Sequence, residues 1–411
     1  MIPRFKPYLG KEELLAALGR QENSVRLFEE EFARTFEAKH AIAFPYGRSA
    51  LWVLFKALGI EGHEVIMPAY TCVVVAHATV LSNNIPRFVD INLYDYNMDL
   101  NQVEAAINER TRVIIATHLF GYPLDVDRLS EIVSAAEVRL GHKIWVVQDC
   151  AHAFGARWKG KLVCNVGDAA LFGLNISKMV TSIFGGMITT DDPELHMKLR
   201  AFRDNTFSQP GFLKNVRRFL YLLAIYPAFN EYMYKLVNWL EEETPLLDRL
   251  TKAYHLDEKV HFPPDYLDQM IEIEGKVGFA QLRKYPEIIR NRQKNACYYD
   301  QNLRNIPGLE LPPIVQGATY SHYAVRVPDR KKILVSVRRR GVQLGELIGY
   351  SVAHIPAFEK YSINLESYPN SNFCSRHTIN LPVYMENGKN MDRIWEKVIT
   401  PVRDLMQANH D

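Results

Sequence analysis

Between Ser49 and Gln148, short apolar runs alternate with segments of helical spacing, and this alternation constrains the fold more than any other feature of the chain. Ser49 to Leu58 (SALWVLFKAL) sets apolar residues on one helical face, Gly59 ends it, and Val65 to Met67 is an apolar run stopped by Pro68. The order then repeats, with helix over Val73 to Leu81, strand over Pro86 to Asp90, helix over Leu100 to Ala106 and strand over Val113 to Thr117. A helix over Asp127 to Leu140 and a strand over Ile144 to Gln148 complete the series. Strands recurring with helices between them are βαβ crossovers. The expected class is therefore α/β, a mainly parallel sheet flanked by helices.

After Lys178 the pattern changes. Gly185 to Thr189 reads as a turn into another strand, near which the main sheet ends. Phe207 to Asp265 is mostly helical and irregular, punctuated by Pro210, Pro227, Pro245, Pro263 and Pro264, and Pro227 is expected to interrupt a helix. Ile271 to Leu303 reads as one long helix interrupted or kinked at Pro286. A strand over Tyr323 to Val327 and helices over Arg330 to Arg340 and Asp392 to Met406 suit a smaller C-terminal α+β domain. Three parts are expected: 1–206 with the large α/β domain, 207–265 as a helical insertion, and 266–411 with the long helix and small domain.

Composition excludes several functions. The charges nearly cancel, 49 − 47 = +2 over 411 residues, which argues against a polyanion binder, so no nucleic acid partner is expected. Cys72, Cys150, Cys164, Cys297 and Cys374 form no CxxC pair and no even framework. Neither a metal site nor a disulfide scaffold is expected, and a reducing cytoplasm fits best. Nothing resembles a signal peptide, and no apolar run reaches the ~18 residues that a bilayer span requires.

Three local features carry chemistry. Trp145 to Asp149 is an apolar run ending in a carboxylate, followed by Cys150, Ala151 and His152. Ligands bind at the carboxyl ends of parallel strands, so Asp149 would point into a crevice, although Asp is equally at home capping a helix there. Lys178 follows Phe172, Gly173, Leu174, Asn175, Ile176 and Ser177, and taken alone it would more often be a solvated surface lysine. Pro45, Tyr46, Gly47, Arg48 and Ser49 precede a helix, where free amides and Arg48 would suit an anion, as would many an ordinary helix start. Pyridoxal phosphate needs an anion site for its phosphate, a carboxylate for its ring nitrogen and a lysine for its aldehyde. The three features supply all three.

Their order resembles the DegT/DnrJ/EryC1/StrS aminotransferases, fold-type I pyridoxal phosphate enzymes that act mainly on nucleotide-linked keto sugars. The resemblance runs from Pro7 to Gly10 and FEEEFA (Phe28 to Ala33), through GHEVIMPAYT (Gly62 to Thr71), FVDINLYDYNMD (Phe88 to Asp99), THLFGYPLDVD (Thr117 to Asp127) and QDCAHAFGA (Gln148 to Ala156). It continues with FGGMITTDD (Phe184 to Asp192), GFAQLRKYPEIIRNRQKNACYY (Gly278 to Tyr299) and LPVY (Leu381 to Tyr384). It implies that Lys178 forms the Schiff base and moves the proton, that Asp149 pairs with the pyridine nitrogen, and that His152 lies beside the ring. It places Gly47, Arg48, Ser49 and Thr71 about the cofactor, His322, Tyr323 and His354 as substrate candidates, and the active site at a homodimer interface. The donor it implies is an amino acid, most simply glutamate, and the acceptor a keto sugar.

The departures are specific. The family's phosphate serine is Gly173, its stacking aromatic is Cys72, and the Asn-Tyr-Arg stretch lent by a neighbouring subunit falls near Leu267, Asp268 and Gln269. Phosphate binding would then fall to Arg48, helped by Asn175 and Tyr70. Two other readings use the same fold. Lys178 opposes the family's dehydratase branch, which has histidine there, and retention of Asp149 with Lys178 opposes a non-catalytic sensor or scaffold. The absence of GxGxxG after the first strand excludes a dinucleotide-binding site. Gly211 to Leu240, rich in apolar and aromatic residues with Lys214, Arg217 and Arg218, reads as a helical lid or dimer contact, with peripheral membrane contact as the alternative.

Overall fold

The computed structural model describes residues 1–243, 260–384 and 391–407. Helices α1 (Lys11–Leu18) and α2 (Ser24–Thr35) precede β1 (His40–Phe44). Strict alternation follows: α3 (Gly47–Ala57), β2 (Glu64–Pro68), α4 (Val73–Leu81), β3 (Ile85–Val89), α5 (Leu100–Ala106), β4 (Thr111–Thr117), α6 (Val126–Leu140) and β5 (Trp145–Asp149). A small hairpin, β6 (Arg157–Trp158) and β7 (Lys161–Leu162), leads to β8 (Ala169–Gly173) and β9 (Gly186–Thr190). Four helices come next: α7 (Pro193–Thr206), α8 (Phe212–Ala228), α9 (Glu231–Glu243) and α10 (Glu272–Leu303). Beyond them β10 (Tyr323–Arg326) pairs antiparallel with β11 (Thr378–Leu381), and α11 (Arg330–Arg339) lies between the two in sequence.

The seven-stranded sheet has the order β1-β9-β8-β5-β4-β2-β3. Strands β3, β2, β4, β5 and β8 run parallel, and β9 runs antiparallel to both β8 and β1. The expected α/β class holds, with one antiparallel edge. Two reversals return β1 to the direction of the parallel strands. The exits of β1, β2, β4, β5 and β8 therefore share one edge of the sheet, where an open α/β sheet binds ligands.

Both faces of the sheet are covered, which explains the near-continuous apolar runs of the central strands. On β4, Val113 and Ile115 join the core under α3 and α4, while Ile114 and Ala116 join that under α5 and α6. Under β8, Phe28 and Phe32 of α2 and Phe36 just after it pack with Phe154 and Phe172, and the Phe32 and Phe172 rings meet edge-on at 4.9 Å. The long helix α10 lies against α2, where a side chain on Gly278 would come within 2.4 Å of the Phe28 ring. This packing holds β8, and with it Gly173, at a defined height. Helix α10 runs through Pro286, which lies on its exposed side.

The 211–240 segment departs from expectation in two ways. Helix α8 continues through Pro227 to Ala228, so the proline marks the end of the helix and does not break it. Lys214 pairs with Asp265 and Asp268, at 3.1 and 2.9 Å, and Arg218 with Asp265 and Glu274, at 3.1 and 3.0 Å. Only Arg217 of the three cations suited to an anionic membrane is exposed. Leu222, Ile225 and Tyr234 are buried inward, yet Phe212 and Tyr232 remain 83% and 91% exposed. No helix among the described residues is long and apolar enough to cross a membrane.

Candidate active site

Asp149 is the last residue of β5 and is buried, its Oδ1 accepting the Ala151 amide at 3.1 Å. Burial pushes its carboxyl above the usual value, while the Ala151 amide and then the Lys178 charge pull it back. Lys178 belongs to the turn that follows β8. Asn175 organises that turn, because its side-chain oxygen accepts from the Ser177 amide and hydroxyl (3.1 and 2.7 Å) and its carbonyl accepts the Lys178 amide at 3.0 Å. Asn175 thus has a structural task at the lysine. Burial lowers the Lys178 pKa, with Cys72 and then Asp149 acting to raise it. The thiol at the start of α4 therefore shares the neighbourhood of the lysine and the carboxylate.

His152 is buried, and its Nδ1 has no hydrogen-bond partner among the described residues. Burial, the Lys178 charge and His322 hold its pKa well below the ordinary value, so the ring is neutral at physiological pH. Its ring lies 5.4 Å from that of His322 and 6.3 Å from that of Phe120. Phe120 is a site residue that sequence reasoning missed. It sits just beyond β4 at φ +55°, fully buried against His152, His322 and Tyr70. That left-handed backbone is uncommon for a bulky residue, and no pattern in the sequence announces it.

The start of α3 meets the ends of β8 and β9 at close quarters. A side chain on Gly186 would lie 2.5 Å from the Gly47 amide, and one on Gly173 would lie 3.3 Å from Lys178 Cε. Gly173 thus leaves room for the lysine stem where the family has serine. Tyr46 precedes α3 without capping it by a side-chain hydrogen bond. Its hydroxyl donates to Asp265 at 2.7 Å and accepts from Arg218 at 3.1 Å.

Other expected residues have tasks of their own. Arg48 donates to the His261 carbonyl at 2.5 Å and the Ser49 hydroxyl to the Tyr266 carbonyl at 2.8 Å, so both tie α3 to segment 261–266. Thr71 is buried in the loop after β2. Tyr70 is a core residue, its ring 6.4 Å from Tyr96 and 6.3 Å from Phe120. Tyr323 is likewise core, packed on Tyr299 at 5.2 Å, because residue 323 of β10 points inward where His322 points to the cavity. His354 stands edge-on to Tyr368 at 6.4 Å and does not line the cavity shared by Lys178 and His322.

The sequence matches the profile of the DegT/DnrJ/EryC1/StrS aminotransferase family over residues 13–237 and 248–399. The chain belongs to that family. As a member it is a pyridoxal phosphate dependent aminotransferase. It is 26% identical to the spore coat polysaccharide biosynthesis protein SpsC of Bacillus subtilis (strain 168), over 99% of this chain and 97% of that one. It is 37% identical to the GDP-perosamine synthase of Caulobacter vibrioides, over 70% of this chain and 64% of that protein. Among solved structures, S. venezuelae DesV shares the fold with a TM-score of 0.75 at 24% identity, covering 96% of this chain and 94% of that one. The sugar aminotransferase CalS13 from Micromonospora echinospora gives a TM-score of 0.75 at 20% identity, covering 97% and 100%.

The family's cofactor fits the residues present. The Nδ1 of His152 is an orphaned polar atom at the site among the described residues, and the start of α3 offers amides without a side-chain cap.

Proposed function

We propose that this aminotransferase moves an amino group from an amino acid, glutamate, to a keto sugar carried on a nucleotide, with Lys178 as the catalytic amine. The observation that carries the reading is the convergence of Lys178, Asp149 and His152 at the exit edge of β5 and β8, with the start of α3 brought close to Gly173 and Gly186 beside them. The polysaccharide and GDP-perosamine roles named for the two relatives favour a sugar acceptor.

Pyridoxal phosphate, when bound, supplies a ring that withdraws electrons from the amino acid carbon. Lys178 would hold its aldehyde end and Asp149 its ring nitrogen. His152 would lie against the ring, and the first amides of α3, with Arg48, would hold the phosphate. The lowered Lys178 pKa favours a neutral Nζ, able to take and return the proton at the amino acid carbon. The Asp149 carboxylate would stabilise positive charge placed beside it. A cation there would offset the burial that now raises its pKa. Turnover of glutamate against a panel of keto sugar nucleotides tests the reading, and failure with every ketone offered would reject it.

Arg48→Thr is expected to weaken cofactor affinity about tenfold or more by removing charge-assisted bonds. Absorbance titration of apoenzyme measures this, and an unchanged dissociation constant would leave the phosphate to the α3 amides. A cytoplasmic homodimer is the assembly we propose. With Lys214 and Arg218 turned inward, the exposed apolar side of α8 and α9 suits a second copy better than an anionic bilayer. Light scattering should report the dimer, and anionic vesicles should not pull it down. A stable, active monomer would count against the assembly.

A further inference from the structure

The cavity that reaches Lys178 has a one-sided charge. Its wall includes three cations, Arg4, Lys6 and Arg292, together with Lys178 and His322, and no carboxylate among the described residues. Arg4 and Lys6 are held there by an N-terminal segment fixed on both flanks. The Ile2 carbonyl accepts from the Gln343 amide at 2.9 Å and the Pro3 carbonyl from the Tyr384 hydroxyl at 2.9 Å. The Phe5 ring meets Phe229, at the end of α8, at 5.0 Å.

Arg292, on α10, is the most demanding of the three. It is only 8% exposed, and its Nη1 donates to the Ser321 carbonyl at 2.7 Å. Its Nε has no hydrogen-bond partner among the described residues. Burial pulls its pKa down to about 10, with the Tyr8 hydroxyl acting weakly the other way. Its charge also helps to lower the pKa of His322, which places the two near each other. A guanidinium stays protonated in proteins, so burying it without a carboxylate is costly unless a ligand supplies the missing charge. The peptide carbonyl of Ser321 satisfies one donor and supplies no net charge.

We propose that Arg292, with Arg4 and Lys6 at the mouth, receives an anionic group of the substrate in the Lys178 cavity, either a second carboxylate of the amino donor or the diphosphate of the acceptor. The inference rests on the reading of Lys178 as the catalytic amine. It gives the N-terminal segment a role in recognition and makes Arg292 a specificity residue as well as a support for the 320–322 turn.

Calorimetric titration of the holoenzyme tests this with two probes that cannot react: glutarate, which carries two carboxylates and no amine, and inorganic pyrophosphate. At least one should bind the wild-type protein, and Arg292→Gln and Arg4→Gln should each weaken that binding about tenfold or more, with Arg292→Lys retaining most of it. Loss for glutarate alone assigns the site to the donor. Loss for pyrophosphate alone assigns it to the acceptor, and loss for both assigns it to either anion. Arg4→Gln alters a surface segment and decides the matter if Arg292→Gln does not fold. Failure of both probes to bind the wild type, or unchanged binding in the variants, overturns the proposal. Because calorimetry requires no turnover, a chain that bound these anions yet transferred no amino group would sink the function and leave the site standing.

Discussion

Replacing Lys178 with alanine is expected to abolish repeated amino transfer, a loss on the order of 10⁴-fold or more, the scale seen when one member of a concerted catalytic set is removed. The fold should survive. Burial already disfavours the lysine charge, so truncation relieves a desolvation cost. The wild-type protein should be yellow with cofactor bound, and borohydride reduction followed by peptide mapping should fix the label on Lys178. Label found elsewhere, or sustained turnover by Lys178→Ala, would make another residue the amine.

Asp149→Asn should cost at least ~10²-fold in turnover while leaving cofactor bound, because it removes the negative charge and keeps the shape. The asparagine oxygen can still accept the Ala151 amide, now at 3.1 Å, so the local turn is preserved. Since burial works against the ionised carboxyl, the neutral variant should also be no less stable. A thermal melt alongside the kinetics separates the two effects. Turnover near that of the wild type would remove Asp149 from the role.

The parallel core was legible because its strands are buried on both faces and its helices on one, and each condition leaves a local pattern. Helices α4 and α5 fall at Val73–Leu81 and Leu100–Ala106, as their spacing predicts. Strand β1 was not foreseen, since five residues between two helices carry too short a period to separate strand from helix. The nearness of Asp149, His152 and Lys178 was legible in the sequence because each lies at or just after the end of an apolar strand on one edge of the sheet. Phe120, Arg4, Lys6 and Arg292 were not, because their relation to Lys178 depends on chain segments distant in sequence.

The sequence by itself determined the class of the protein: the order of its strands and helices, the family and the cofactor, all carried by residues close together in the chain. Only the tertiary structure decided which polar groups are committed elsewhere. Lys214 and Arg218 look like a membrane-seeking pair until Asp265, Asp268 and Glu274 are folded against them. Tyr323 and His322 are neighbours in sequence, yet one packs into the core and the other lines the cavity. Arg292 reads as an ordinary helix cation until packing strips its water and leaves its Nε without a partner among the described residues. Charge is written in the residue, but its energetic consequence is set by burial and by partners that only the folded chain brings within reach.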